Sequence, residues 1–321
     1  MPSLRLLLLA SFLCWPCLVE AETAYVSNEQ DNTISVIDGN SLKVTATIQV
    51  GRRPRGLALN IDRTKLYVAT GDDNRIDVID LKSRRIENSI PSGTDPEFFA
   101  VHPDGQRMFV SNEDDNQISV VDIQEQRTSQ EVEVGVEPEG VGVSPDGRLV
   151  VATSETTSMI HVIDANSLEL IDNVLVDTRP RMALFSPDNR QIWVSSELRG
   201  TVSIFDAETR QPLSKIRFEI PGVPRELVQA VGLQLTPDGS RAYVALGPAN
   251  RVAEVDARTF AVLRMYLVGQ RVWHIALSPD GRRLYTANGN SSDVSVIDLD
   301  QHSVVKSIGV GRSPWGVVVA P

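Results

Sequence analysis

The 321-residue sequence predicts an all-β chain closed into one ring of seven four-stranded blades, a β-propeller, on three observations. A 42-residue period runs through it, broken once by eight extra residues. Each period carries four short strand-like segments separated by turn residues, and no stretch keeps a helical period. A four-stranded sheet of this kind leaves two apolar faces exposed, so copies must stack, and a ring ends the stack without a free edge.

Residues 1–21 read as a secretory signal peptide. Arg5 precedes the apolar run 6–10, and Val19 and Ala21 place small residues ahead of a cleavage point before Glu22. The run is too short to be a membrane span. Both cysteines, Cys14 and Cys17, lie inside it. Residues 22–321 therefore hold no cysteine, which excludes a disulfide, a thiolate metal site and a cysteine nucleophile there. Hydrophobic residues at 41% suffice for a core, and a net charge of −11 argues against nucleic acid as a partner.

The repeat occupies all of 22–321 and leaves no room for a second domain. Asp38, Asp80, Asp122, Asp164, Asp206, Asp256 and Asp298 close the third strand of each copy, and their carboxylates are expected to accept backbone N–H groups of the following turn. In the third copy the strands read Met108–Ser111, Gln117–Asp122, Ser129–Val134 and Gly140–Ser144, and Ser144-Pro145-Asp146-Gly147 is a tight turn. The chain begins at a second strand (Tyr25) and ends with a first strand (Gly316–Ala320), so the C-terminal strand is expected to join the N-terminal blade and close the ring. The eight-residue insertion falls at Phe218–Gln229, on the face of the second-to-third-strand hairpins.

The tetrads YVSN, YVAT, FVSN and YTAN, with SPDG-type turns, resemble the bacterial YVTN-repeat β-propeller family over residues 24–321. The single exported propeller is similar more narrowly to the PQQ-dependent catabolism-associated β-propeller proteins. That resemblance implies a periplasmic location and an accessory role beside PQQ-linked alcohol oxidation.

Around the channel mouth, the residue before each inner strand is Trp315, Arg55, Glu97, Glu139, Arg181, Val231 and Trp273 in blade order. Pro precedes five of them, so the backbone repeats while the side chain varies. This inequality makes Arg55, Glu97, Glu139, Arg181, Trp273 and Trp315, with His274 beside them, the candidate ligand- or partner-binding site. The hairpin loops of the first three blades are acidic through Glu29, Asp31, Asp72, Asp73, Glu113, Asp114 and Asp115, a candidate docking sector for a basic partner. His102 reads as a turn residue, and no His cluster offers zinc or haem ligation. No Gly-x-Ser-x-Gly elbow or phosphate loop occurs, so no catalytic residue, metal or cofactor is assigned.

The expectation is a monomeric, non-enzymatic binding or docking protein. Its partner would be a periplasmic protein, such as a quinoprotein dehydrogenase or c-type cytochrome, or a small ligand. The alternatives are a propeller enzyme of lactonase or lyase type working at the channel mouth, and a nucleic-acid-binding propeller, which the charge disfavours.

Overall fold

The computed structural model describes residues 22–321, and the signal-peptide expectation for 1–21 falls outside the described residues. Seven four-stranded antiparallel sheets form the fold. Blade 2 spans residues 54–91, blade 3 96–133, blade 4 138–175, blade 5 180–217, blade 6 233–267 and blade 7 272–309. Blade 1 is assembled from both chain ends. Its inner strand, Pro314–Ala320, pairs antiparallel with Thr23–Asn28, setting Thr23 opposite Ala320 and Tyr25 opposite Val318. Thr33–Asp38 and Lys43–Gln49 complete it, so the C-terminal strand closes the ring as the register requires.

The core lies between blades rather than within them. Val36 and Ile48 of blade 1 pack with Leu57, Leu66 and Val68 of blade 2, and similar clusters join each later pair round to blades 7 and 1. The second and third strands are buried on both faces, whereas an outer strand such as Lys43–Gln49 alternates exposed with covered residues. Burying both faces of a sheet between neighbours is what the repeat needs, because each large apolar side chain so removed from water contributes about 1.5–3 kcal/mol.

All seven strand-ending Asp side chains accept the backbone N–H three residues on, from Ser41, Ser83, Glu125, Ser167, Thr209, Thr259 and Gln301, at 2.6–2.9 Å. In the turns, the hydroxyls of Ser144, Ser186, Thr236 and Ser278 donate to the Asp two residues on. His102 takes that place in blade 3, its Nδ1 accepting the Asp104 N–H at 3.1 Å.

Neighbouring blades are clasped at the hairpin face. The side-chain oxygens of Asn32, Asn74, Asn116 and Asn250, all in the left-handed region, accept the N–H of Arg53, Asp95, Glu137 and Arg271 in the loop entering the next blade. The carboxylates of Asp31, Asp73 and Asp115 accept the N–H of Arg312, Arg52 and Thr94 in the same loops. The insertion leads from blade 5 into blade 6. Its Phe218 and Val228 are buried in the cluster between those blades.

Candidate functional site

The inner strands run along the central channel, and a bulge sits where each meets the mouth. In blade 2, Pro54 lies opposite Thr70 and Leu57 opposite Val68, so Arg55 and Gly56 together face one residue. Blades 1, 3, 4, 5 and 7 repeat this shift, whereas the shortened inner strand of blade 6, which follows the insertion, pairs without it. A bulge re-aims the side chain it carries, here the mouth residue. A second-strand hydroxyl then fixes that residue from the previous blade. Ser27, Thr153 and Ser195 donate to the carbonyls of Arg55, Arg181 and Val231, and Ser111 donates to that of Glu139. Two residues before the mouth position, Arg53, Asp95, Glu137, Arg179, Arg271 and Ser313 hold φ of 53–61°, a left-handed turn that the repeat uses in every blade but the sixth.

These placements build two linked ion-pair clusters. On the blade 1–3 side, Arg55 pairs with Glu29 at 3.0 Å and with Glu97, and Arg53 pairs with Glu97 at 3.1 Å, Asp72 at 3.1 Å and Asp95. On the blade 4–7 side, Arg181 pairs with Glu139 at 2.6 Å and with Glu155. Arg179 reaches Glu155 at 2.7 Å and Glu197 at 3.3 Å, and Arg271 reaches Glu197 at 2.7 Å. Gln229, from the insertion, accepts a hydrogen bond from Arg271 at 2.7 Å, so the insertion borders the mouth. The Trp273 ring has the Arg271 guanidinium 4.1 Å and the Arg181 guanidinium 5.5 Å from its centre, and Arg55 lies 5.5 Å from the Trp315 ring.

Burial and charge divide these groups. Burial works against the Arg55 guanidinium, but Glu97, Glu139 and Glu29 hold it more firmly protonated than usual. Burial likewise pushes the Glu139 carboxyl well above the usual range, with Arg181 opposing. Glu113 differs in being only part-buried. Desolvation, then the charge of Glu97 and a hydrogen bond with it, push it up to about 7. Oxygens of Asp95, Glu97 and Glu113 lie within 4.8 Å of one another. Arg53 and Arg55 pair with Asp95 and Glu97, so this trio belongs to the ion-pair network of the mouth.

The mouth-ring candidates Arg55, Glu97, Glu139, Arg181, Trp273 and Trp315 thus surround one opening. His274 lies one layer below, in the channel wall, with its ring 4.1 Å from Trp315 and stacked 5.5 Å from Phe98. Burial, aided by the charges of Arg181 and Arg55, drops it to about 3, so it is a neutral imidazole at ordinary pH. Sequence reasoning missed Arg53, Asp95, Glu155, Arg179, Glu197 and Arg271. The same 42-residue register, read two residues before the mouth position and one after the strand tetrad, would have found them.

The acidic sector does not stand free. Asp31, Asp73 and Asp115 are spent on the blade clasps, Asp72 pairs with Arg53, and Glu29 pairs with Arg55 at the mouth. Glu113 likewise joins the mouth cluster, which leaves Asp114 as the exposed member of that loop without a described partner.

Two family models match parts of the chain: "Cytochrome D1 heme domain" over residues 67–183 and "Lactonase, 7-bladed beta-propeller" over residues 176–306. No curated protein matches it. Among solved structures, a Kuenenia stuttgartiensis hydrazine synthase chain is similar at 21% identity and a TM-score of 0.78, with 86% of this chain and 92% of that one covered. A Lactobacillus plantarum protein is similar at 16% identity and a TM-score of 0.80, covering 94% and 99%. A Bacteroides uniformis protein described as a candidate 6-phosphogluconolactonase gives 16% and 0.78, covering 94% and 100%. At these identities the solved structures show the fold.

The lactonase match overturns the expectation of a non-enzymatic docking module and favours a propeller enzyme. The structure supplies the physical reason, since the acidic residues assigned to docking are consumed by clasps and ion pairs. The haem that the other match implies does not suit the residues it spans. His102 contacts Asp104 and, at 2.8 Å, the Gly147 carbonyl, while His161 contacts Asn173, Ser154 and Gly135. Neither imidazole is free to serve as an axial ligand.

Proposed function

We propose that this chain is a propeller hydrolase of the lactonase class, opening a cyclic ester at the charged channel mouth with Glu113 as general base. The observation that carries the reading is the Glu113 carboxyl, held near neutrality at about 7 and part-exposed at the opening. A base poised near the working pH accepts a proton and returns it most effectively. The match to the seven-bladed lactonase model over 176–306 supports the same chemistry.

In this reading Glu113 takes a proton from water as its oxygen attacks the lactone carbonyl carbon. The negative charge developing on the carbonyl oxygen faces the Arg55 guanidinium, which its carboxylate neighbours keep protonated. The ring C–O bond then breaks, and Glu113 returns the proton to the departing alkoxide, giving the hydroxy acid. Arg53, Arg55, Arg179, Arg181 and Arg271 are each charge-balanced by a carboxylate, so the mouth has little net positive charge to draw a phosphate dianion, although Arg55 can still face a single developing oxyanion. The substrate class is accordingly an unphosphorylated lactone.

The test is proton release from a panel of unphosphorylated sugar and aliphatic lactones, followed by titration at constant pH. Glu113→Gln should lower kcat/KM by roughly 10²–10⁴, the usual worth of a general base, and abolish the rise in rate through pH 7. Hydrolysis no faster than buffer on every lactone, or a Glu113→Gln variant with unchanged rate and pH profile, would remove the reading. Export to the periplasm and the narrower kinship with the PQQ-associated propellers belong to the same proposal. They are supported by the sequence of residues 1–21 and by the repeat tetrads, and cell fractionation tests the first of them.

A further inference from the structure

Below the charged mouth the channel changes character. A cavity of about 470 Å³, within the roughly 300–1,000 Å³ common for small-molecule sites, is walled by Leu57, Leu59, Leu235, Leu277, Val317 and Val319. Pro237 and Pro279 from the tight turns also line it, so it lies toward the face opposite the mouth. His274 and Phe98 line it too.

The side chains one position past the mouth ring explain this layer. They read Gly56, Phe98, Gly140, Met182, Gly232, His274 and Gly316 in blade order. A Cβ on any of the four glycines would lie within 2.7 Å of a backbone carbonyl in the next blade, so close approach of the inner strands excludes side chains there. Phe98, Met182 and His274 are the three that remain. Phe98 and His274 stack on each other, and Trp315 leans against both.

Two polar groups, one in this layer and one in the mouth ring above it, lack partners. The Trp315 side chain is 1% exposed, and its Nε1–H has no hydrogen-bond acceptor among the described residues. His274 is 7% exposed and held by aromatic stacking, with no described hydrogen bond to either ring nitrogen. Buried donors of this kind are ordinarily satisfied, and leaving one orphaned costs about 1–3 kcal/mol.

We propose that the cavity binds an uncharged aliphatic molecule with a single oxygen head, of the ketone or ester class, tail in the apolar funnel and carbonyl oxygen at His274. The His274 ring, which lines the cavity without a described hydrogen bond, asks for an oxygen acceptor, and the walls ask for hydrocarbon. A neutral head fits better than a carboxylate at the His274 end, because the one cation lining the cavity, Arg63, sits in the exposed turn after Leu59 and not beside that ring. The floor of the site is a neutral imidazole. The site is separate from Glu113, so the inference stands or falls apart from the hydrolase reading.

The test is calorimetric titration of the whole protein with 2-octanone and with octanoate, alongside two variants checked for native thermal unfolding. His274→Phe keeps the stack and removes the polar group, whereas Leu59→Trp fills the funnel from its partly exposed wall. Saturable binding of 2-octanone at least tenfold tighter than octanoate is expected. Each variant should weaken it at least tenfold, and Glu113→Gln should leave it unchanged. Absence of saturable 2-octanone binding, octanoate binding as tight as the ketone, or undiminished affinity in both folded variants would overturn the proposal. Loss of binding in Glu113→Gln would also overturn it by placing the ligand at the mouth.

Discussion

At the scale of single residues, two titrating groups in the channel pull stability in opposite directions. Glu113 sits at about 7 in the folded chain against an ordinary 4.5, so the native state holds a proton that the unfolded state has lost. Its contribution is full below about 4.5 and disappears as pH rises through 7. Glu113→Gln should therefore flatten the decline in denaturation midpoint between pH 5 and pH 8, and a slope as steep as the parent's would count against the assignment. His274 is the reverse, lowered to about 3 from 6.5, so stability is full above 6.5 and falls as acid drives the proton onto the unfolded chain. Its imidazole proton resonances should stay flat from pH 5 to pH 8. A titration near 6.5 would mean the ring is wetter than its packing against Trp315 and Phe98 implies.

At the scale of elements, the inner strand is held by what lies beside it more than by its own propensity. Gly140 lies against the next blade, where an added Cβ would sit 2.3 Å from the Arg181 carbonyl. Gly140→Ala should cost about 1–3 kcal/mol in chemical denaturation, as overpacking does, and a neutral result would mean the blades can part. Such lateral contacts mark the limit of what the sequence disclosed. The strand-ending Asp residues were legible because donor and acceptor lie three residues apart in one turn. The inequality of Arg55, Glu97, Glu139, Arg181, Trp273 and Trp315 was legible because a fixed period aligns them. Asp31, Asp73 and Asp115 were misread as free surface because each is satisfied by a backbone group in another blade's loop, for Asp31 the N–H of Arg312. No spacing rule within one hairpin reveals such a partner. The depth of His274 was hidden for a similar reason, since adjacent residues of an inner strand occupy different layers of the channel.

At the scale of the whole molecule, stability rests on an unbroken circle of interblade clusters. Deleting residues 314–321 would strip the inner strand from blade 1, bare the edge of Thr23–Asn28 and remove Trp315 from the channel. The shortened chain should lose its cooperative thermal transition and scatter light, and a synthetic peptide of residues 314–321 should restore both. A normal transition without the peptide would show that three strands suffice in that blade. The pairing of Thr23 with Ala320 also carries a consequence in time. The ribosome makes residues 23–49 long before 314–320, so the earliest sheet waits, one member short, until that strand has left the exit tunnel. That late-made segment is thus the latch, and a nascent copy stays open until it has emerged.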